Sequence, residues 1–334
     1  MTAHPPHVRP ATPRRRAVLA AGLAFVVGGA LSACGGGGTT GDGAEAPGGS
    51  DAKAAAAPAS PPPPAKITTG PVLDFDLTPG AGKTVGVGHP VSLLFDHPVK
   101  NKAAVEKALK VTTDNGTEGS WGWLTTVPGG ADRLDWRPKE YWKPGTKVTV
   151  KGDLTIVDPG DGHFTRTVDR TFTIGRDQRL VADLDTHTLT VTRDGKQLKE
   201  FPMTGGEPVS GRASRPGVFA LETREETVRM TSASVGGPKQ YDKTVHWAMR
   251  FTDTGGYVHA APWASADFGV RNGTAGCVGM ADENAKWLFD NSLLGDLLTV
   301  KGAEATTPLG GPGNGLADWN LTWEQWQTKS ALHT

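Results

Sequence analysis

The sequence predicts a mainly β protein: an immunoglobulin-like β-sandwich followed by a second β-sandwich with a short helix and a C-terminal helical tail. Three observations predict it. Between residues 67 and 301, short segments alternate apolar and polar side chains with the two-residue period of half-buried strands. Gly, Pro and Asp clusters punctuate them at turn spacing, in a chain with 45 Gly and 25 Pro. Helical periodicity is confined to a few short stretches, and no internal repeat is evident.

The chain opens on a targeting signal. Arg14–Arg16 precede the apolar run AVLAAGLAFVVGGA, and LSAC (Leu31–Cys34) follows. A basic start, a short apolar core and small exit residues make an export signal, too short for a comfortable membrane span. Either the signal is cleaved after an ordinary small-x-small site, or LSAC is a lipobox whose Cys34 is acylated. The second is favoured, because the chain has just two cysteines and one stands directly after LSA. The expected signal covers 1–33. A lipid-anchored linker covers 34–66, flexible where Gly and Ser dominate and stiffened toward polyproline II at SPPPP. As a coil it spans on the order of 30 Å, enough to hold a domain off a membrane.

Residues 67–176 form the first sandwich. TVGVGHPVSLLFD, KVTVKGDLTIV and RTVDRTFTIG alternate between turns, and one helix fits KAAVEKALK. Trp121, Trp123 and Trp136 fit core positions. His89, His97 and His163 lie far apart and are expected on the surface. Residues 177–302 form the second domain. HTLTVTRDGKQLKEFPM is a hairpin about Asp194–Gly195, and Pro216–Gly217 turns the chain into another strand. Two strands flank the Asp253–Gly256 turn. DENAKWLFD is a helix with Ala285, Leu288 and Phe289 on one face, running into a last strand. In the tail, 303–334, Trp319, Trp323 and Trp326 fall at one face of a helix and are expected to dock it on the preceding domains.

Lys plus Arg and Asp plus Glu number 35 each, and this neutral balance argues against nucleic acid. With Cys34 acylated, Cys277 is the one thiol of an exported chain, either inert and buried or reactive. Alternation puts Tyr257 and His259 on one side of their strand, near its end. Cys277 follows directly after Gly276. A histidine beside a cysteine lowers the thiol pKa and can return the proton to a leaving amine. Glycine there admits a substrate carbonyl, and the N–H groups of Gly276 and Cys277 are candidate oxyanion donors. A bare pair so far apart in sequence is weak evidence, since free cysteine is among the most buried residue types.

The surrounding residues strengthen it. YVHAAPW followed by GTAGCVGM resembles the signature of the L,D-transpeptidases, the YkuD-type domain that cross-links bacterial peptidoglycan. His259, Pro262, Trp263, Thr274, Gly276 and Cys277 match in order and spacing. LVADLDTHTLTVTRDG looks like that domain's first hairpin, YWKPGTKVTV like the immunoglobulin-like domain preceding it in many members, and DWNLTWEQW like their C-terminal subdomain. Two positions depart: Ala275 stands where the family has histidine, and Gly279 where it has Asn or Arg. Ala260 replaces a common serine, whose family role is a backbone carbonyl that orients the histidine.

The resemblance implies acyl transfer in two steps. Cys277, deprotonated by His259, attacks the carbonyl of the third stem-peptide residue and expels the terminal D-alanine. The amine of a neighbouring stem then resolves the thioester into a 3-3 cross-link. It requires the Cys277 sulfur to be open to solvent and within hydrogen-bonding reach of His259. Thr274, Tyr257, Tyr241, Trp247 and Met230 are candidate substrate-binding residues, the last three because the segment after SRPG forms a flap in the family. No metal or cofactor is expected. The implied partners are peptidoglycan stem peptides, the membrane through the lipid on Cys34, and carbapenem-type β-lactams as covalent inhibitors, with no nucleic acid. The implied location is the outer face of the cell membrane. Two alternatives stand beside this reading: a catalytically impaired wall-binding protein on the same fold, for which Ala275 and Gly279 speak, and a sortase-like cysteine peptidase, whose sequence context is not visible.

Overall fold

Inward-pointing Val91, Leu93 and Phe95, with Leu94 turned outward, show how alternation builds the first domain. The structure is a computed structural model describing residues 64–127, 129–209, 212–231, 242–302 and 311–333. One four-stranded antiparallel sheet has β2 (Phe75–Thr78), β4 (Val91–Phe95), β7 (Asp132–Pro138) and β6 (Gly119–Thr125) in spatial order 2-4-7-6. The facing sheet runs 3-10-8-5, from β3 (Thr84–Val85), β10 (Thr167–Ile174), β8 (Lys147–Asp153) and β5 (Lys110–Thr113). A short parallel pair joins β1 (Val72–Leu73) to β9 (His163–Phe164). Helix α1 (Lys102–Ala108) is capped by Asn101, whose side chain accepts from the Ala104 N–H. Trp121, Trp123 and Trp136 are buried in the shared core; Trp123 stacks on Phe95 and Trp136 on Trp142.

The second domain is one nine-stranded sheet in the order 14-19-11-12-13-18-17-16-15. Its strands are β11 (Gln178–Asp183), β12 (Thr188–Arg193), β13 (Lys196–Thr204), β14 (Gly217–Ala220), β15 (Thr223–Thr231), β16 (Asp242–Arg250), β17 (Tyr257–Ala260), β18 (Val278–Met280) and β19 (Leu297–Lys301). The β12–β13 hairpin turns at Asp194 and Gly195, both at positive φ (51° and 78°), the geometry of a type I′ turn. Strand β13 is long enough to serve two halves: Lys196–Pro202 pair with β12, while Met203 and Thr204 pair with β18. Side chains from both halves share one core, among them Leu180, Val191, Met249, Val258 and Val278. Helix α2 (Asp282–Asp290) buries Ala285, Leu288 and Phe289 against it. Sequence-adjacent strands pair antiparallel, but β17 and β18 lie parallel because the whole 261–277 connection crosses between them. That crossover positions the site.

The three-tryptophan tail departs from the expected single helix. Trp319 lies in a 3-10 turn (Asp318–Asn320), and Trp323 and Trp326 in α3 (Trp323–Gln327), separated by extended Leu321 and Thr322. Thr322 and Gln325 form a capping box that restarts the helix, which outweighs the periodicity. The three rings still converge, with Arg137 of β7 over all of them at 4.7, 5.6 and 5.2 Å. Trp319 Nε1 donates to the Gly88 carbonyl and Trp326 Nε1 to that of Ser120, so the tail docks on the sandwich. His89 is also a correction. It is buried, not on the surface, with Nδ1 bonded to the Pro90 carbonyl, and burial pushes its pKa down to about 4. Cys34, the signal, nearly all of the linker, Tyr241 and residues 303–310 lie outside the described residues.

Candidate active site

Strands β17 and β18 bring the two candidate catalytic residues to one face. The register pairs Val258 with Val278 and His259 with Gly279, so Cys277, just before β18, continues opposite Tyr257. Residues 257, 259, 277 and 279 therefore share a side, while Val258 and Val278 point into the core. Strand spacing sets the two Cα atoms roughly 8 Å apart, within reach of converging side chains. Both side chains line one cavity of about 230 Å³, together with Arg212, Met230, Lys243, Trp263, Gly273, Thr274 and Ala275.

His259 is fully oriented. Its Nδ1 lies 2.7 Å from the carbonyl oxygen of Ala260, and since a carbonyl can only accept, that nitrogen carries the proton. The other, Nε2, is left as the base. The ring is covered by Trp263, stacked at 5.9 Å. Burial pushes its pKa down to about 4, with the Ala260 bond opposing weakly.

The thiol does not sit as expected. Cys277 is only 8% exposed, and its Sγ–H points to the Gly255 carbonyl at 3.6 Å; no hydrogen bond joins it to His259. Burial raises its pKa to about 11, opposed by the Tyr257 N–H that faces the sulfur. The physical reason is that the Gly255–Tyr257 backbone closes over the sulfur from the β16–β17 turn. Desolvation therefore outweighs any lowering by the imidazole, and the resting pair is neutral thiol and neutral imidazole. The sulfur nonetheless borders the cavity and is not sealed in hydrocarbon.

The turn ahead of Cys277 is braced from three sides. Gly276 has φ +119°, which favours glycine. Thr274 Oγ1 donates to the Cys277 carbonyl at 2.6 Å and accepts from the Gly276 N–H at 3.3 Å. That N–H is thus engaged, so the expected pair of backbone donors reduces to the Cys277 N–H. Ser214 Oγ donates to the Gly276 carbonyl and accepts from the Gly206 N–H. Asn272 ties the loop to the sheet, its Nδ2 donating to the Leu184 carbonyl and its Oδ1 accepting from the Gly205 N–H. Neither Ser214 nor Asn272 is among the candidates the sequence offers, because nothing in the residues beside them marks a bond to the Cys277 loop.

The remaining candidates divide. Met230 and Thr274 line the cavity. Tyr257 does not; its ring packs with Met230, Val245 and Ala248, and its part in the site is its backbone. Trp247 is a correction: its ring meets Phe289 at 5.7 Å, lies under Lys286, and donates to Asp282, so it holds α2 to the sheet. Its positive φ of 55° turns the side chain off the strand's alternation, so it does not line the cavity as the family flap implied. Gly279 is enclosed: a Cβ there would meet the Ala261 Cβ at 2.8 Å and methyl groups of Thr204 and Thr274 at 3.3 and 3.4 Å.

Comparison with known proteins agrees with this architecture. Residues 66–158 match the bacterial Ig domain family, and residues 177–301 match the L,D-transpeptidase catalytic domain. The chain is 36% identical over 261 residues to L,D-transpeptidase 2 of Mycobacterium tuberculosis, covering 76% of this chain and 61% of that protein, less than two thirds of its length. It is 34% identical over 230 residues to L,D-transpeptidase 1 of the same species, covering 68% of this chain and 84% of that one. Among solved structures it resembles the LD transpeptidase LdtMt1 in complex with imipenem (TM-score 0.57, 32% identity, 72% of this chain and all of that one). It also resembles L,D-transpeptidase 3 from M. tuberculosis with a faropenem-derived adduct (TM-score 0.55, 27% identity, 68% and 97% covered). The parallel β17–β18 crossover, the oriented histidine and these matches together place the chain in the L,D-transpeptidase family, behind an N-terminal bacterial Ig domain.

Proposed function

We propose that this protein is a peptidoglycan L,D-transpeptidase that forms 3-3 cross-links through an acyl-enzyme on Cys277. The observation that carries the reading is the convergence of Cys277 and a tautomer-fixed His259 on one cavity. As the donor stem enters, Sγ attacks the carbonyl carbon of its third residue while the thiol proton passes to Nε2 of His259. The tetrahedral oxyanion is received by the Cys277 N–H. Its collapse breaks the bond to the terminal residue, whose amine takes the proton from His259, leaving a thioester. The amine of a second stem attacks that thioester, returns its proton through His259 and restores the thiol.

A neutral resting pair suits this sequence, because the proton moves as the bond forms and no isolated thiolate must be desolvated. Cys34 acts in the same reading as a lipid anchor that keeps the domains at the outer membrane face, and incorporation of labelled fatty acid lost in Cys34→Ala tests it. Relatives carry imipenem and faropenem-derived groups. The decisive experiment incubates the protein with imipenem and weighs it. A covalent adduct absent from Cys277→Ala, with dimer formed from tetrapeptide stems, supports the enzyme. The closed thiol, bonded to Gly255, favours the second reading of a wall binder without turnover, and absence of both adduct and dimer over hours would establish that one.

A further inference from the structure

The active-site cavity is lined by two cations and no carboxylate among the described residues. Arg212 is already matched, by an ion pair with Glu207. Lys243, on β16 opposite Met230, is different. No carboxylate is paired with it among the described residues; its Nζ instead stands 4.4 Å from the ring centroid of Trp263. Its neighbour Asp242 is engaged by Arg229 in two bonds. The Trp263 ring in turn stacks on His259. Ammonium, indole and imidazole therefore form a row, no more than roughly 10 Å long from Nζ to the imidazole. An indole beneath an ammonium holds it in place without neutralising it, so its hydrogen-bond donors remain for an incoming anion.

Resting on the transpeptidase reading, the geometry points to Lys243 as the specificity-determining residue that receives a carboxylate of the acyl-donor peptide. One residue of peptide advances the chain by about 3.8 Å. With the scissile carbonyl at Cys277, a carboxylate so close to it stays inside the cavity that Lys243, Trp263 and His259 also line. Two sources have this chemistry: the terminal carboxylate of the leaving residue, and a side-chain carboxylate on the residue that is acylated. Lys243 acts on binding, and His259 and Cys277 retain the chemistry.

The test uses the full folded chain and three donor tetrapeptides: unmodified, amidated at the C-terminus, and amidated at the side chain of the third residue. Release of the terminal residue is followed for wild type, Lys243→Met and Lys243→Arg, with melting temperatures as the folding control. In wild type, amidating the recognised carboxylate raises KM about 10- to 100-fold, the range for a hydrogen bond to a charged group. Lys243→Met shows the same rise on the unmodified donor and no further rise on that amide, with kcat held within about twofold. Lys243→Arg keeps most of the discrimination. Whichever amide carries the effect identifies the source. Equal discrimination by wild type and Lys243→Met overturns the proposal. Wild type without turnover and without an imipenem adduct removes the transpeptidase reading and the proposal with it, whereas a Cys277 adduct formed by a non-discriminating Lys243→Met isolates recognition from chemistry.

Discussion

Asp135 of the sandwich and Asp318 of the C-terminal segment are both fully buried, and both lean on the guanidinium of Arg133, at 2.8 and 3.5 Å. Burial and mutual repulsion push the Asp318 carboxyl well up, and burial raises Asp135 as well, with Arg133 opposing in each case. Arg137 opposes the rise at Asp318 as well, yet burial outweighs both cations, so Asp318 is the acid of the pair that more readily keeps its proton. Arg133→Met removes the cation that both acids share, leaving Asp135 without one, and is expected to lower stability by about 3–5 kcal/mol. Asp318→Asn imitates the protonated acid and is expected to cost less than about 1 kcal/mol at pH 7. Urea denaturation of the two variants checks the contrast, and equal losses would contradict it.

The neutral Cys277–His259 pair makes a pH prediction. With the imidazole at about 4 and the thiol at about 11, the same protonation state persists between them. The second-order rate of acylation by imipenem should therefore be level from about pH 5 to about pH 10 and fall below, as His259 takes a proton. A bell centred near pH 6 to 7, the mark of a thiolate–imidazolium pair, would contradict it.

Glu222 pairs with Arg250 at 3.2 Å, yet it shapes the pH dependence of stability in the opposite sense to an acid whose pKa is lowered. Burial first, then Asp253, raises its pKa to about 7, while Arg250 and the Leu316 N–H oppose. An acid whose folded pKa is raised stabilises the fold fully below its unfolded value and loses that contribution as pH rises through the folded one. Glu222→Gln should match wild type near pH 5 and exceed it above pH 8, by on the order of 3 kcal/mol. Denaturation at the two pH values is the measurement, and an unchanged difference between them would refute the assignment.

At Gly279 the enclosure decides what substitution does. With the Ala261 Cβ at 2.8 Å from any added Cβ, Gly279→Asn is expected to destabilise by about 1–3 kcal/mol and not to raise acylation. Ala275 borders the open cavity, so Ala275→His should fold with an unchanged melting temperature. A Gly279→Asn protein as stable as wild type would show that the neighbours yield.

Trp247 gives a test of its own. Since its ring holds α2, Trp247→Ala should cost about 2–3 kcal/mol in stability. Acylation per folded molecule should stay within about twofold, and a large loss of rate at full folding would return Trp247 to the cleft.

Strand periodicity and turn residues were enough to read most of the architecture, because each strand buries one face and each turn has its own chemistry. The Asp194–Gly195 hairpin and the buried face of Ala285, Leu288 and Phe289 follow from local rules. So does the convergence of His259 and Cys277 on one cavity, since strand parity and the motif act together. The sequence could not disclose that the Gly255 carbonyl accepts the thiol's hydrogen bond, that Trp247 is rotated by a positive φ, or that His89 is buried. Each depends on segments distant in the chain or on a single backbone angle, and no window of residues contains that information.

The indole of Trp326 rests where Gly122 offers no side chain; a Cβ there would come within 2.7 Å of it. Near the chain's far end, Ser330 and the Ala331 N–H cap Glu106, beside the Trp123 indole on the same carboxylate. The sandwich is thus not a freestanding cassette. Transplanting residues 67–176 alone would carry an indole-shaped dent and an unsated acid into the recipient, so the exchangeable module must include residues 311–333.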